Sequence, residues 1–544
     1  MRKGSGRITR RTVLAATGGA LAATAIPSGF ALAQQTPRKG GTLRVSNGGD
    51  PPDFDLHQAI TYLTEFIGAP CYSTLLKIDP NDYSKLLPDL AEKYEVSPDG
   101  KTVTFHIRSG VVFHNGMPLT SEDVVYSLER IRKPPAGIVS IRKGMLANIA
   151  NITAPDDKTV VIALTSPQAD FPALVSNPFN VIYPKKVAEP LDAQGIGMKR
   201  QVVGTGPFRL TNAVDGQIYE LQRFDKYVGE RSHLDKIQFF PIKGEIERGV
   251  ALQGGRIDAC FFLASESVIA NLGKIPTLTG KRRPTPTAIN LIPNVNVKPF
   301  DDPRVREAIS LAIDRDAFIR TTGPLSGAFY HSVGLMPPGT AYDLKPEEIK
   351  QFSGYDTLPG LGGDINANRQ KAIALLEQAG VAKGFKLVLP ARADVPAFRD
   401  SSINIAAQLK TIGFDATVDV RDAGAFVALE NKGEFQMLIH SIGLSGSLPD
   451  QILGEAYTSF GGRNYGHWKD DSIDDLYRAQ SRESDPEKRK ALIRKFQLKF
   501  LKTYYHINLA WVGYAAVHSK KLMGWNMMPD IYANMQMNNV WLDA

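Results

Sequence analysis

Residues 88–132 constrain the fold more than any other stretch, because they encode a strand, a turn, a second strand and a capped helix without a gap. Pro98, Asp99 and Gly100 make a tight turn, since proline presets φ and glycine accepts a positive one. Val103, Phe105 and Ile107 alternate with Thr104 and His106, the period of a half-buried strand. Asn115 and Gly116 mark another turn. Thr120 stands three residues before Asp123, a spacing at which hydroxyl and carboxylate each satisfy a free amide at a helix start. None of these residues is arranged for chemistry; together they predict a rigid surface module.

A chain of 544 residues exceeds one hydrophobic core and predicts two or three domains. Its 43% hydrophobic and 22% charged residues fit a soluble globular protein. The formal charge of +8 includes five basic residues before position 34; without them it is +3, too little for a nucleic-acid surface. The longest basic run, Lys281, Arg282 and Arg283, reads as a solvated loop.

Residues 1–33 read as an export signal. Arg10 and Arg11 precede a mildly apolar Ala/Gly/Thr stretch, and Ala31-Leu32-Ala33 offers small residues to a signal peptidase. The paired arginines resemble a twin-arginine signal, with ordinary secretion as the alternative. No cysteine stands at the cleavage site and no later segment reaches the ~20 apolar residues of a membrane span. A soluble, periplasmic product without a lipid anchor is expected. Cys71 and Cys260 could pair in an oxidising compartment or stay apart as buried thiols; their sequence separation does not decide.

Residues 40–46 predict a first strand running into the polar turn at 47–52, and carboxyl ends of strands are where open α/β sheets bind ligands. Thr159 to Leu164 predicts another strand. Gly204-Thr205-Gly206 lacks the Lys and Ser/Thr of a phosphate loop. Residues 299–316 predict one amphipathic helix with Asp302 as N-cap and Pro303 at its first position; Val305, Ala308, Ile309, Ala312 and Ile313 fall on one face. Residues 337–363 are a Pro- and Gly-rich loop. Helices at 371–380 and 403–412 alternate with strands at 385–389 and 414–420, which predicts a parallel-rich α/β unit. Asp485 and Pro486 start a last long helix that runs to about residue 503.

The order of motifs in 88–132 resembles the signature of family 5 extracytoplasmic solute-binding proteins, the peptide-, dipeptide- and nickel-type receptors of ABC importers. VGTGPF at 203–208, ALQGGRID at 251–258 and PFDDPRVREAIS at 299–310 are similar to further family motifs in the same order. The resemblance implies an α/β, two-lobed periplasmic binding protein-like fold (class II, cluster C type), with an extra subdomain on lobe one and a ligand cleft between lobes. Lobe one would take residues 36–78, 205–297 and 510–544, the subdomain 79–204, and lobe two 298–509. The implied function is stoichiometric capture of a small solute, most readily a peptide or peptide-like compound, for an ABC permease and its ATPase. The protein would be a monomer, with no cofactor and no nucleic acid. Receptors for an acidic conjugate, opine, sugar derivative, metal chelate or haem are the alternative, and a folded-exported periplasmic enzyme a remoter one.

Enzymatic motifs are absent from the sequence: no nucleophile elbow, no HExxH and no His cluster at ligand spacing. His106 and His114 read as structural. Acidic pairs at 301–302, 470–471 and 474–475 read as helix starts. The resemblance places Arg392 where dipeptide-type members meet the ligand carboxylate, and arginine offers two parallel donors for that purpose. It places Ile442 at a tryptophan position and Ser445 where an aspartate binds the peptide α-ammonium; Asp450 follows, and a one-residue gap would bring it into that role. A serine cannot supply the counter-charge of a desolvated ammonium, so a blocked, modified or non-peptide acidic solute is expected. Asn47, Gly48, Asn296 and Tyr514 complete the expected contacts, each open to a structural reading as turn former, strand end or core aromatic.

Overall fold

The computed structural model describes residues 36–544 apart from 60, 83–84, 141, 327, 332–333, 394–395, 444–447, 529 and 544. The expected export signal and Ser445 therefore lie outside the described residues. The module at 88–132 forms as its sequence dictates. Strand Thr102–Ile107 buries Val103, Phe105 and Ile107. Gly100 and Gly116 take positive φ in the two turns. Helix Ser121–Arg132 opens on a capping box, with Thr120 N–H donating to Asp123 Oδ2 at 2.9 Å. Val124, Leu128 and Ile131, spaced as one helical face, cover an antiparallel sheet ordered Ala91–Val96, Thr102–Ile107, Thr159–Leu164, Ile149–Asp156. Each such apolar side chain contributes about 1.5–3 kcal/mol on burial. This is one apolar core of its own, called here the module core.

The chain leaves the module through Gly204 and Gly206, where glycine is required by proximity. A Cβ on Gly204 would lie 2.1 Å from the Cys71 carbonyl oxygen, and one on Gly206 2.5 Å from Cys71 backbone carbon. The Gly206 N–H donates to the Cys71 carbonyl at 3.0 Å, so this element is a backbone crossing.

The largest sheet among the described residues runs Met437–Gly443, Leu278–Pro293, Ile507–Ser519, Ala259–Leu263, Thr42–Asn47, Lys236–Pro241, Ile218–Arg223, Phe208–Val214, with Ala328–His331 also paired to Ile507–Ser519. Thr42–Asn47 is parallel to both neighbours; the other pairs are antiparallel. One end builds a first core from Val45, Phe66, Tyr219, Ile237 and Phe239. The other builds a second core, where Leu291, Ile507 and Leu509 meet Ile309, Leu387, Leu389, Ile405 and Leu409. The long strands Leu278–Pro293 and Ile507–Ser519 run through both ends.

Several expectations are corrected. The helix expected over 299–316 is two helices, Pro303–Ala312 and Arg315–Ser326. Ile313 is extended, and Asp314 Oδ1 accepts the Ala317 N–H at 2.8 Å, so a new cap interrupts the first helix. Parallel pairing in the second half is limited, among the described residues, to Lys386–Arg392 with Asp415–Arg421. Lys281, Arg282 and Arg283 lie on strand Leu278–Pro293 with exposed side chains, not in a loop. Residues 337–363 hold the short helix Pro346–Ile349 and bury Leu344, Ile349, Phe352, Tyr355 and Leu358 in a further cluster. Cys71 and Cys260 are both free and buried.

Candidate functional site

The first strand ends on Asn47, fully buried, whose Nδ2 donates to the Leu63 carbonyl at 3.0 Å while Oδ1 has no partner. The turn that follows lies against helix Tyr62–Gly68, capped by Thr61. At Gly48 a Cβ would stand 2.2 Å from the Tyr62 hydroxyl, so a larger residue would push that ring aside. Tyr62 stacks on Phe262 at 4.2 Å between ring centroids, and Phe262 meets Tyr514 at 3.7 Å. Half-buried aromatic faces therefore continue from the first strand's carboxyl end to the strand that crosses between cores. Each such pair adds about 0.5–1.5 kcal/mol beyond its burial. Burial raises the Tyr62 phenol despite the nearby Arg248 guanidinium, and burial also raises Tyr514, so both stay neutral donors.

Behind Tyr62, Arg248 Nη1 donates to the Phe262 carbonyl at 2.8 Å, and Glu245 accepts the Ala264 and Ser265 N–H groups. These contacts hold the aromatic wall in place. Arg142, buried by the module, donates to the Ala59 carbonyl at 2.8 Å and lies 3.8 Å over the Phe179 ring. Burial brings Arg142 down to about 10, with Tyr532 and Glu455 opposing and Arg463 adding to the shift. Glu455 and Arg463, 3.6 Å apart, belong to the second half of the chain. Module and second half meet directly where Gln168 Nε2 donates to Asp450 Oδ2 at 3.1 Å. His440 and Glu430 pair at 3.0 Å on that second side, and His440 lies 4.7 Å from the Tyr465 ring.

Of the expected residues, Asn47, Gly48 and Tyr514 converge on this wall through Tyr62 and Phe262. Arg392 is the last residue of its strand, half-buried and in register with Arg421. Ile442 pairs with Ala288 through the backbone of Met437–Gly443. Asn296 is exposed, and its N–H donates to Asn294 Oδ1 at 3.0 Å. Asp450 departs from the expected role. Its carboxylate already accepts from Gln480 and Arg489 on one oxygen and from Ser481 and Gln168 on the other. Four protein donors leave that carboxylate committed to packing.

Tyr62, Phe262, Arg248 and Arg142 were not anticipated. Tyr62 carried a signal, Thr61 as a cap directly before it. Arg142 did not, since its partners are backbone carbonyls. His114 is tied to the Gly206 carbonyl at 3.1 Å and kept neutral by burial, at about 4. Among the described residues no group of three or more His, Cys, Asp or Glu is placed to hold a metal ion. No helix of theirs is long and apolar enough to cross a membrane.

The profile of bacterial extracellular solute-binding proteins, family 5 Middle, matches residues 85–464. The dipeptide-binding protein of Escherichia coli K12 is 28% identical over 483 residues, 84% of this chain and 86% of the relative. The ABC transporter-associated periplasmic binding protein DppA from Helicobacter pylori, solved with the peptide STSA, superposes with a TM-score of 0.78 at 26% identity, over 93% of this chain and 99% of that one. AgaA from A. tumefaciens R10, solved with agropinic acid, gives 0.77 at 25% identity over the same shares. An α/β fold with two main cores joined by long crossing strands matches that of these two-lobed receptors. The chain belongs to family 5 of the bacterial extracellular solute-binding proteins.

Proposed function

We propose that the protein is the solute-capturing receptor of an ABC importer, taking a peptide or peptide-like compound between two lobes and delivering it to a membrane permease driven by a cytoplasmic ATPase. The observation that carries this reading is the family match across 85–464, joined to similarity over 84% of the chain with a dipeptide-binding protein. Lobe one is residues 36–78, 205–297 and 510–544 with 79–204 as its subdomain; lobe two is 298–509. The lobes close by hinge motion about the crossing strands. Asn47, Gly48, Tyr62, Phe262 and Tyr514 form the lobe-one wall, and Arg392 receives an acidic group from lobe two; the resemblance adds Ile442 and Ser445 to the contacts. Binding is stoichiometric, without catalysis or cofactor. A twin-arginine-type signal in residues 1–33 delivers the protein to the periplasm as a soluble monomer without a lipid anchor.

A non-peptide acidic solute is the second reading. It is supported by the similarity to AgaA, solved with agropinic acid, and by the resemblance, which puts Ser445 where other members carry an ammonium-binding aspartate. Mass spectrometry of small molecules released on denaturing the freshly purified protein tests both. Short peptides are the expected result; a single acidic non-peptide compound selects the second reading. Turnover of a bound compound would overturn both.

A further inference from the structure

A buried ion cluster joins the module to the helices of the second half. Arg489, on helix Pro486–Leu501, grips Asp170 through both carboxylate oxygens at 2.5 and 2.6 Å. Its Nη2 also reaches Asp450 Oδ1 at 3.2 Å, on helix Pro449–Ala456. The three side chains are 8%, 10% and 1% exposed. From the module side, Gln168 donates to Asp450 Oδ2 at 3.1 Å, and the Ala169 N–H donates to the Ser481 carbonyl at 2.8 Å. Beside it, Leu448 packs against the module core.

We propose that this cluster is a closure latch: residues 168–170 of the module dock onto Asp450, Ser481 and Arg489 when the lobes close, and the dock sets how much of the solute-free protein is closed. The inference rests on the two-lobe reading above. Its chemistry is asymmetric in a way that suits reversible docking. If the bodies part, Asp450 keeps Gln480 at 2.7 Å, Ser481 at 2.8 Å and Arg489, all on its own side. Asp170, Gln168, the Ala169–Ser481 backbone pair, the Asp450 N–H and one face of Arg489 exchange protein partners for water. Opening therefore strands no buried charge, whereas closing gains a bidentate, charge-assisted contact of fixed geometry. A receptor whose competent state is more populated binds every solute more tightly by the same factor.

The test uses the full chain, expressed with residues 1–33 in place, purified, stripped of solute by unfolding and refolded. Small-angle X-ray scattering is recorded for wild type, Asp170→Asn and Gln168→Ala, each checked for folding by circular dichroism. Wild-type scattering is expected to follow the closed structure. Asp170→Asn is expected to require an open population at least about twofold larger, with Gln168→Ala shifted in the same direction by less. Should Asp170→Asn not fold, Gln168→Ala carries the comparison alone. Superimposable curves for folded wild type and variants, or a wild type already open, overturn the latch. Turnover of a bound compound would instead overturn the receptor reading, leaving the scattering comparison to decide the latch.

Discussion

Arg392 ends its strand at the edge of the second core, where a guanidinium can meet a carboxylate through two parallel donors. Arg392→Ala is expected to weaken solute binding by about 2–5 kcal/mol, the range for removing one partner of a buried charge pair. Isothermal titration with the solute identified by mass spectrometry checks it, and unchanged affinity would remove Arg392 from the site. Single residues were legible in the sequence where their role is local. Gly48 and Asn47 could be placed at the turn that ends the first strand because a strand's carboxyl end is defined by its own neighbours. Asp450 could not be read that way. Its four donors come from Gln168, Gln480, Ser481 and Arg489, up to 282 residues away, and no local pattern announces them.

The elements were legible to the extent that caps and periodicity decide them. Asp302, Asp485 and Thr120 cap the helices they were expected to cap, and Val103, Phe105 and Ile107 are buried on alternation alone. What failed was strand pairing: nothing inside Lys281–Arg283 shows that residues 507–519 lie alongside. Equally hidden was the clamp between helix Ser121–Arg132 and the 53–58 loop, where buried Arg130 binds Asp55 at 2.6 and 3.1 Å and Asp192 at 2.7 and 2.9 Å. Burial alone would raise the Asp55 carboxyl, but Arg130 holds it at about 2. Burial and then Arg130 hold His57 at about 3. Both lowered groups make acid destabilising, in different windows. The unfolded chain binds a proton at His57 below about 6.5 that the folded chain refuses down to about 3, and at Asp55 below about 4 that the folded chain refuses down to about 2. Stability should therefore fall as pH drops from 6.5. In thermal melts across pH 7 to 3, His57→Gln should flatten the curve between 6.5 and 4, while Asp55→Asn should flatten it only below about 4. Curves parallel to wild type would show that the clamp does not carry the pH response.

At the scale of the whole molecule, two main cores and a module core would ordinarily melt as separate bodies, since each buries its own apolar set. The crossing strands argue otherwise. Ile507, Leu509 and Val512 belong to the second core, while Ala515, Ala516 and Val517 on the same strand pack with the first half. Leu278 and Leu291 divide strand Leu278–Pro293 in the same way. The two strands pair with each other from Leu278 opposite Ser519 to Leu291 opposite Ile507, so freeing one core strips hydrogen bonds and packing from the other. Calorimetry of the solute-free protein should accordingly show one transition spanning both main cores. Solute should raise it without splitting it, by about 2.7 kcal/mol at a hundredfold excess over Kd. Two resolved transitions, with solute moving only one, would mean that the crossing strands act as a passive tether and that closure is not transmitted through them. A single transition would mean that hinge and cores are one cooperative structure, in which the lobes can swing only by bending strands that neither core can release.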